Sequence, residues 1–438
     1  MAVVSEIIEG QPSFRSKVRS WWIQYFSDIP LFAWLVGAVV AAILEMLVGN
    51  PFARLIGMPR APVLFGFLIA LKTPLLIPPA IFYNIVIYLV PICLVARLIG
   101  GISNKLAEWM FERSVILSTI AHLGLLYIAL HIWAGFNDYR ILVVKLILLA
   151  IMITLSLNVV NGYMGEFSCS HPGFMALGAY TASILSILFF VDDSTFGPAI
   201  LPPALGQLAF PIILIISGAV SSIGALLVAV PSFRTRGDYL AIISLAFTFI
   251  VKSLIENLEI VGGPRGLRGQ PDWASLPVVF VWTMLCVWVI NNYVRSTFGK
   301  TMNAVRDGEM AANAMTINTR RTKMVTFLFA AFWAGVSGGL LAHVLRYVNP
   351  GSFGIQKLAE VLAMVYFGGL NSVVGSIVGA VGFNLLSEAL RPLELYKWII
   401  IPIMIILVMI YRPTGLIAFT EFDVKKLIQP RNKKNREA

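Results

Sequence analysis

The chain has 438 residues, 58% of them hydrophobic and 13% charged, with a formal net charge of +11 and a mean hydropathy of +0.84. Soluble domains carry about 25% charged residues, so this composition excludes a soluble globular enzyme and predicts an all-α, polytopic membrane helix bundle. The basic excess is concentrated in three places: Arg15, Lys17 and Arg19 before the first apolar run; a central island at 295–323; and Arg412 with the tail residues Lys425, Lys426, Arg431, Lys433, Lys434 and Arg436. No nucleic-acid recognition module accompanies these patches. The positive-inside rule accounts for them and places all three in the cytoplasm.

In chain order, the first thirty residues carry charge and no cleavage-site pattern, so no removable signal peptide is expected. A membrane helix needs about 20 apolar residues. Residues 31–48 are the first candidate. Residues 63–70 are apolar, but Lys72, Pro74, Pro78 and Pro79 interrupt the next stretch, which predicts a re-entrant or irregular piece over 63–79. Residues 81–99 form a span with a kink expected at Pro91, followed by a short polar segment carrying Lys105, Glu108 and Arg113. Spans at 115–136 and 141–162 come next. Glycines, serines, a proline and a glutamate then break the apolar signal over 161–180, and a further span continues to about residue 191. Such a break at membrane depth must be buried in protein or line a cavity.

The loop 192–207 has two aspartates and no Lys or Arg, which suits the outside. Residues 210–230 span back to a basic turn at Arg234 and Arg236, and 238–255 span out to a Gly-rich loop at 262–270. Residues 278–294 return to the island, and 325–348 leave it. The run 358–390 is too long for one span and is split near Gly369; 398–411 closes the core. Small residues cluster at Ala331, Ala334, Gly335, Gly338 and Gly339, which permits close backbone approach between helices. With the split near Gly369, parity puts the island, the Arg234 turn and the tail on one side, and at the N-terminus it holds only if 63–79 does not cross. The total is about eleven spans. The expected division is a cytoplasmic tail at 1–30, extra N-terminal segments at 31–113, a core at 114–411 with its polar loop at 295–324, and a basic tail at 412–438.

Within the island, Met310, Ala311, Ala314 and Met315 fall at i, i+1, i+4 and i+5, one face of a short helix. Asn318 is the expected stop. Two readings stand side by side: an amphipathic helix offering an apolar stripe to a partner, or a solvated loop carrying topogenic charge.

The motifs of chemistry are missing. The Gly299-Lys300-Thr301 triplet lacks the earlier glycine of a GxxxxGK(S/T) phosphate loop, Val294 standing there instead. Cys93, Cys169 and Cys286 are isolated, with no metal or disulfide spacing. The four histidines, His122, His131, His171 and His343, form no HExxH pattern, and no GxSxG elbow occurs. The charges in or near spans are Glu45, Lys72, Lys145, Lys252, Glu360 and Glu388; most lie near predicted ends, where snorkelling suffices. His171, in the broken stretch, suits either a hydrogen bond to freed backbone or a substrate contact.

Four stretches together resemble a known family. LNVVNGYMGEFSCSHPGFMALGAYTASIL at 157–185 is similar to its broken-helix segment. RTRGDYLAIISLAF at 234–247, followed by GGPRGL at 262–267, matches in order and spacing. FGKTMNAVRDGEMAANAMTIN at 298–318 resembles its cytoplasmic loop, and RPTGL at 412–416 its terminal motif. The family is that of LivM-type permeases of bacterial ABC importers for branched-chain amino acids, and the resemblance covers roughly 115–416.

The resemblance implies a type II ABC importer-like permease in the bacterial inner membrane, with both termini cytoplasmic. It implies a second, LivH-type permease, two ATPase subunits that hold the ATP and Mg, and a periplasmic binding protein; this chain itself would bind no cofactor or metal and carry no catalytic residue. The coupling helix would comprise Arg306, Asp307, Glu309, Met310, Ala311, Ala312, Ala314 and Met315. The family often has Gly where this chain has Thr316. The translocation path would lie between two permease chains near Gly165, Glu166, Ser168, His171, Gly173, Gly368 and Gly369. Branched-chain amino acids are the first expected substrates. Urea or short amides, or an ion-coupled secondary transporter, are the alternatives.

Overall fold

The computed structural model describes residues 28–62, 64, 73–193, 196–233, 239–412 and 414–429. The basic residues expected at 15–19, 234–236 and 431–436, and most of the irregular piece at 63–79, lie outside them. The chain folds as two compact units, Met1–Arg140 with Asp423–Ala438, and Ile141–Phe422.

The first unit contains α1 (Leu31–Leu55), α2 (Ile77–Arg113) and α3 (Val115–Ala134). The buried side of α1 recurs every fourth residue, at Ala33, Gly37, Ala41, Glu45, Gly49 and Ala53. Small residues at that spacing let backbones meet where lipid supplies no hydrophobic drive for association. At Gly37 an added Cβ would stand 2.9 Å from the Ile92 carbonyl oxygen on α2. The polar segment expected after residue 99 is instead the continuation of α2, because its buried stripe runs on through Ser103, Ala107 and Met110. Just before Pro91, where a kink is expected, α2 has a π-helical turn over Ile85–Leu89. A wider turn just before a proline relieves the clash of its ring with the preceding turn.

One charge interrupts the stripe of α1. Glu45 is paired in two-pronged fashion with Arg140, at 2.7 and 2.8 Å, and both are fully buried. The guanidinium lies 4.8 Å from the Trp133 ring and 4.7 Å from that of Phe136, and donates to the Pro62 carbonyl at 3.2 Å. A short helix α4 (Val424–Ile428) completes this unit, burying Ile428 and packing on α1 and α3.

The second unit is built around the helix α5 (Asp138–Met164), whose residues from Ile141 onward belong to it; its apolar stretch is 83% buried, against 17% for those of α2 and α3. After it come α6 (His171–Phe190), α7 (Gly206–Ser232), α8 (Tyr239–Asn257) and α9 (Leu276–Arg295). They are followed by α10 (Thr297–Asp307), α11 (Glu309–Ala314), α12 (Thr319–Leu345), α13 (Ile355–Gly368), α14 (Val373–Ala389) and α15 (Glu394–Tyr411). The small-residue cluster sits at the meeting of α6, α7 and α12: an added Cβ at Gly178 would fall 2.1 Å from the Gly335 oxygen, and at Gly338 2.0 Å from the Met175 oxygen. Buried hydroxyls reinforce these contacts, Ser221 donating to the Phe174 carbonyl at 2.9 Å and Ser156 to that of Ala330 at 2.6 Å.

The run 358–390 is divided as expected, between α13 and α14. Among the described residues nine helices are long and apolar enough to cross a membrane, and Val373–Ala389 and Ile399–Tyr411 are shorter apolar helices. At one end of α12 a two-stranded ladder pairs β1 (Leu267–Arg268) with β2 (Tyr347–Val348), Leu267 opposite Val348. The ladder holds the Gly-rich loop in place, with Gly262 and Gly266 at φ of 86° and 78°.

Glu45→Gln should lower the stability of the protein by about 3–5 kcal/mol, because it strands one member of a buried pair. Thermal unfolding in detergent reads this out. Replacing Glu45 by Leu and Arg140 by Met together should recover most of the loss, and a double variant as unstable as the single one would refute the assignment.

Candidate functional site

The basic island is ordered as two short helices leading into a third, whereas the spacing predicts one short helix. Ser296 caps α10, its hydroxyl accepting from the Gly299 amide at 3.3 Å. Met302 and Val305 of α10 are buried and seat the loop. Gly308 separates α10 from α11, in which Ala312 is the buried anchor. The expected stripe faces outward: Met310 is 87% and Met315 75% exposed, and Ala311 and Ala314 are exposed with them.

The helix α11 ends earlier than expected. The Thr316 amide bonds to the Asn313 carbonyl and the Ile317 amide to that of Ala312, both at 3.1 Å. Thr316 itself holds φ at 64°. This is the paired closure that usually takes Gly at the left-handed position, and here Thr takes the conformation that Gly would. Asn318 is not the stop. Its side chain accepts from the Arg321 amide at 2.9 Å and so caps the start of α12. Arg320, Arg321 and Lys323 therefore belong to the first turns of α12.

Two cations attach this loop to the broken stretch. Arg306 pairs with Asp307 at 2.8 Å and donates to the Gly162 carbonyl at 3.4 Å. Its stem lies against Gly165, where an added Cβ would be 2.4 Å from the Arg306 Cγ. Gly165, at φ 77°, closes the π-helical turn Val159–Met164 that ends α5. Lys323, only 12% exposed, bridges Glu166 at 2.5 Å and Glu309 at 2.8 Å.

The second break lies beside the first. Asn158, fully buried, donates to the carbonyls of Gly369 at 3.3 Å and Ser372 at 3.0 Å and to the Ser376 hydroxyl at 2.6 Å. Its side-chain oxygen accepts from the Asn371 amide at 3.1 Å. An added Cβ at Gly162 would lie 1.9 Å from that same oxygen. Leu416 and Ile417 cover the other side of the break, their amides bonding to the Phe367 and Gly368 carbonyls at 3.1 and 2.9 Å. Gly368 is pressed against α14, an added Cβ falling 2.1 Å from the Gly375 oxygen.

The remaining candidates form a separate buried group. Ser168 bonds to Ser170 at 2.9 Å, and its amide donates to the Asn161 side chain at 3.2 Å. The Cys169 amide donates to the Ser244 hydroxyl and the Thr248 hydroxyl to the Cys169 carbonyl, both at 2.9 Å, so α8 supplies the partners that a continuous helix would have supplied. His171 is wholly buried, its ring 5.8 Å from that of Phe174. Gly173 faces α8 so closely that an added Cβ would lie 3.1 Å from the Phe247 ring.

Thus Gly165 and Glu166 stand with the island loop, Gly368 and Gly369 join them through Asn158, and Ser168, His171 and Gly173 lie packed against α8. Sequence reasoning missed Asn158 and counted Lys323 only as topogenic charge. An amide inside an otherwise apolar run was the available signal for Asn158.

The family model described as branched-chain amino acid transport system, permease component, matches residues 139–409, a region that begins two residues before the second unit does. The high-affinity branched-chain amino acid transport permease LivM of Escherichia coli strain K12 is 30% identical over 318 residues, covering 65% of this chain and 71% of that protein. LivH of Salmonella typhimurium is 26% identical over 175 residues, 39% of this chain and 56% of that protein. The ribose import permease RbsC of Haemophilus influenzae is 24% identical over 211 residues, 44% of this chain and 62% of that protein. No solved structure matches this chain.

Asn158→Leu should leave the Asn371 amide and the Gly369 carbonyl without their partner, at a cost of about 1–3 kcal/mol for each buried group. A fall in the unfolding midpoint well beyond that of Thr154→Val, which removes a single bond to the Met364 sulfur, is the expected result.

Proposed function

The chain belongs to the branched-chain amino acid transport permease family, and from that premise we propose that it is the LivM-type permease subunit of an ABC importer in the bacterial inner membrane. It would form half of a membrane path for branched-chain amino acids, beside a LivH-type permease. Two cytoplasmic ATPase subunits would bind ATP and Mg and supply the power, a periplasmic protein would deliver the ligand, and both termini of this chain would face the cytoplasm. The translocation path would run between the two permeases near Gly165, Glu166, Ser168, His171, Gly173, Gly368 and Gly369.

The observation that carries this reading is the pair of exposed methionines, Met310 on α11 and Met315 at its C-terminal cap. A soluble loop gains nothing from holding Met310 and Met315 in water on an ordered helix. A flexible apolar side chain suits an adaptable protein contact. Ala312 anchors that helix, and Arg306, Asp307 and Glu309 hold its approaches, so a partner seated on Met310, Ala311, Ala314 and Met315 would grip an element already fastened to both helix breaks. Closure of the ATPase pair on nucleotide would then move this loop and bias the bundle between two arrangements.

Met310→Asp with Met315→Asp places charge on the apolar contact and should cut recovery of the ATPase subunits with the tagged permease by at least about tenfold, since a desolvated unpaired charge costs more than 1.4 kcal/mol. Membrane insertion of the permease should be unchanged. Full recovery of the ATPase with the double variant would overturn the docking assignment.

A further inference from the structure

Lys323 touches both the island helix and the broken stretch by charge. It rises from the second turn of α12, the helix that continues through the small-residue core of the unit. Its ammonium holds Glu309, on α11, and Glu166, on the segment between α5 and α6. The two carboxylates differ in setting: Glu309 is half exposed, whereas Glu166 is 23% exposed. The half-exposed bond meets more solvent and is the weaker one. The Glu166 bond, at 2.5 Å and in less water, is the stronger.

The other fastening between loop and break is largely steric. Arg306 lies along Gly165, and its guanidinium is shared with Asp307, the Gly162 carbonyl and the Phe419 ring, at 5.7 Å. The packing resists compression, and the single long bond to the Gly162 carbonyl pulls only weakly. Lys323 can pull, because a salt bridge between two carboxylates is satisfied only while both stay within reach of one ammonium.

We propose that Lys323 is a positioning residue for transport, an ionic latch through which displacement of α11 is transmitted to Glu166 and so to the helix break. This rests on the docking reading above and deepens it: α11 is where force enters, and Lys323 is where it crosses to the path. Glu309 thereby acquires a role turned inward, toward the latch, rather than toward the partner subunit.

The test uses the complete importer, this chain with its permease, ATPase and binding-protein partners, reconstituted in liposomes, with leucine as the probe. The readout is leucine molecules moved per ATP hydrolysed. A residue that merely stabilises the fold lowers both rates together and leaves this ratio unchanged. Lys323→Met should lower the ratio at least about fivefold, the lower end of ordinary coupling between sites. Lys323→Arg, which can still bind both carboxylates, should keep the ratio within about twofold of the parent. Should Lys323→Met fail to assemble, exchanging the charges with Glu166→Lys and Lys323→Glu rebuilds one arm of the latch, and a ratio higher than that of Glu166→Lys alone is then expected. A ratio unaffected by Lys323→Met, an Arg variant as uncoupled as the Met variant, or no gain from the exchanged pair would overturn the latch. Failure of the docking reading shows separately, as undiminished ATPase recovery with the methionine variants.

Discussion

An interrupted helix in an apolar bundle leaves amide and carbonyl groups that no water reaches, and each must find a partner in the protein. Asn158 meets that constraint for two interruptions together. Its side chain takes up the amide of Asn371 and the carbonyls of Gly369 and Ser372, while its own position ends the regular part of α5. Gly162 has no side chain because Asn158 occupies that space. The two breaks are therefore one structural object, and whatever displaces one acts on the other.

The island loop is fastened to this object by two kinds of contact. Arg306 fills the hollow at Gly165, and Lys323 spans two carboxylates. Its apolar stripe remains outside. The same twenty-odd residues thus present a partner-facing surface and a set of internal ties, which is what a transmitting element needs and a topogenic loop does not. At the other end of α12, about 40 Å away at 1.5 Å per helical residue, the β1–β2 ladder fixes the Gly-rich loop.

Much of this was legible in the sequence because it depends on local pattern. The division near Gly369 was written in the excess length and glycines of 358–390. The outward stripe of α11 followed from the spacing of Met310, Ala311, Ala314 and Met315, and the close helix contacts from Ala334, Gly335 and Gly338. Other features depend on residues far apart in the chain. Arg140 stands just before a predicted span and carries no local sign of burial, because only its fold-mediated meeting with Glu45, 95 residues earlier, makes that burial tolerable. Asn158 reads as one polar residue in an apolar run until Asn371 is placed beside it. Thr316 adopts a backbone conformation that propensity assigns to Gly, and Asn318 is equally suited to close one helix or open the next. Hydrogen bonds to Asn313, Ala312 and Arg321 decide both cases.

The small helix Val424–Ile428 buries Ile428 against α1 and α3, so the first unit contains the beginning and nearly the last of the described chain. A ribosome releases residues in order. These early helices must wait, with a place left open, until some three hundred later residues have been threaded into the bilayer, and the unit that is synthesised first is the last to be finished.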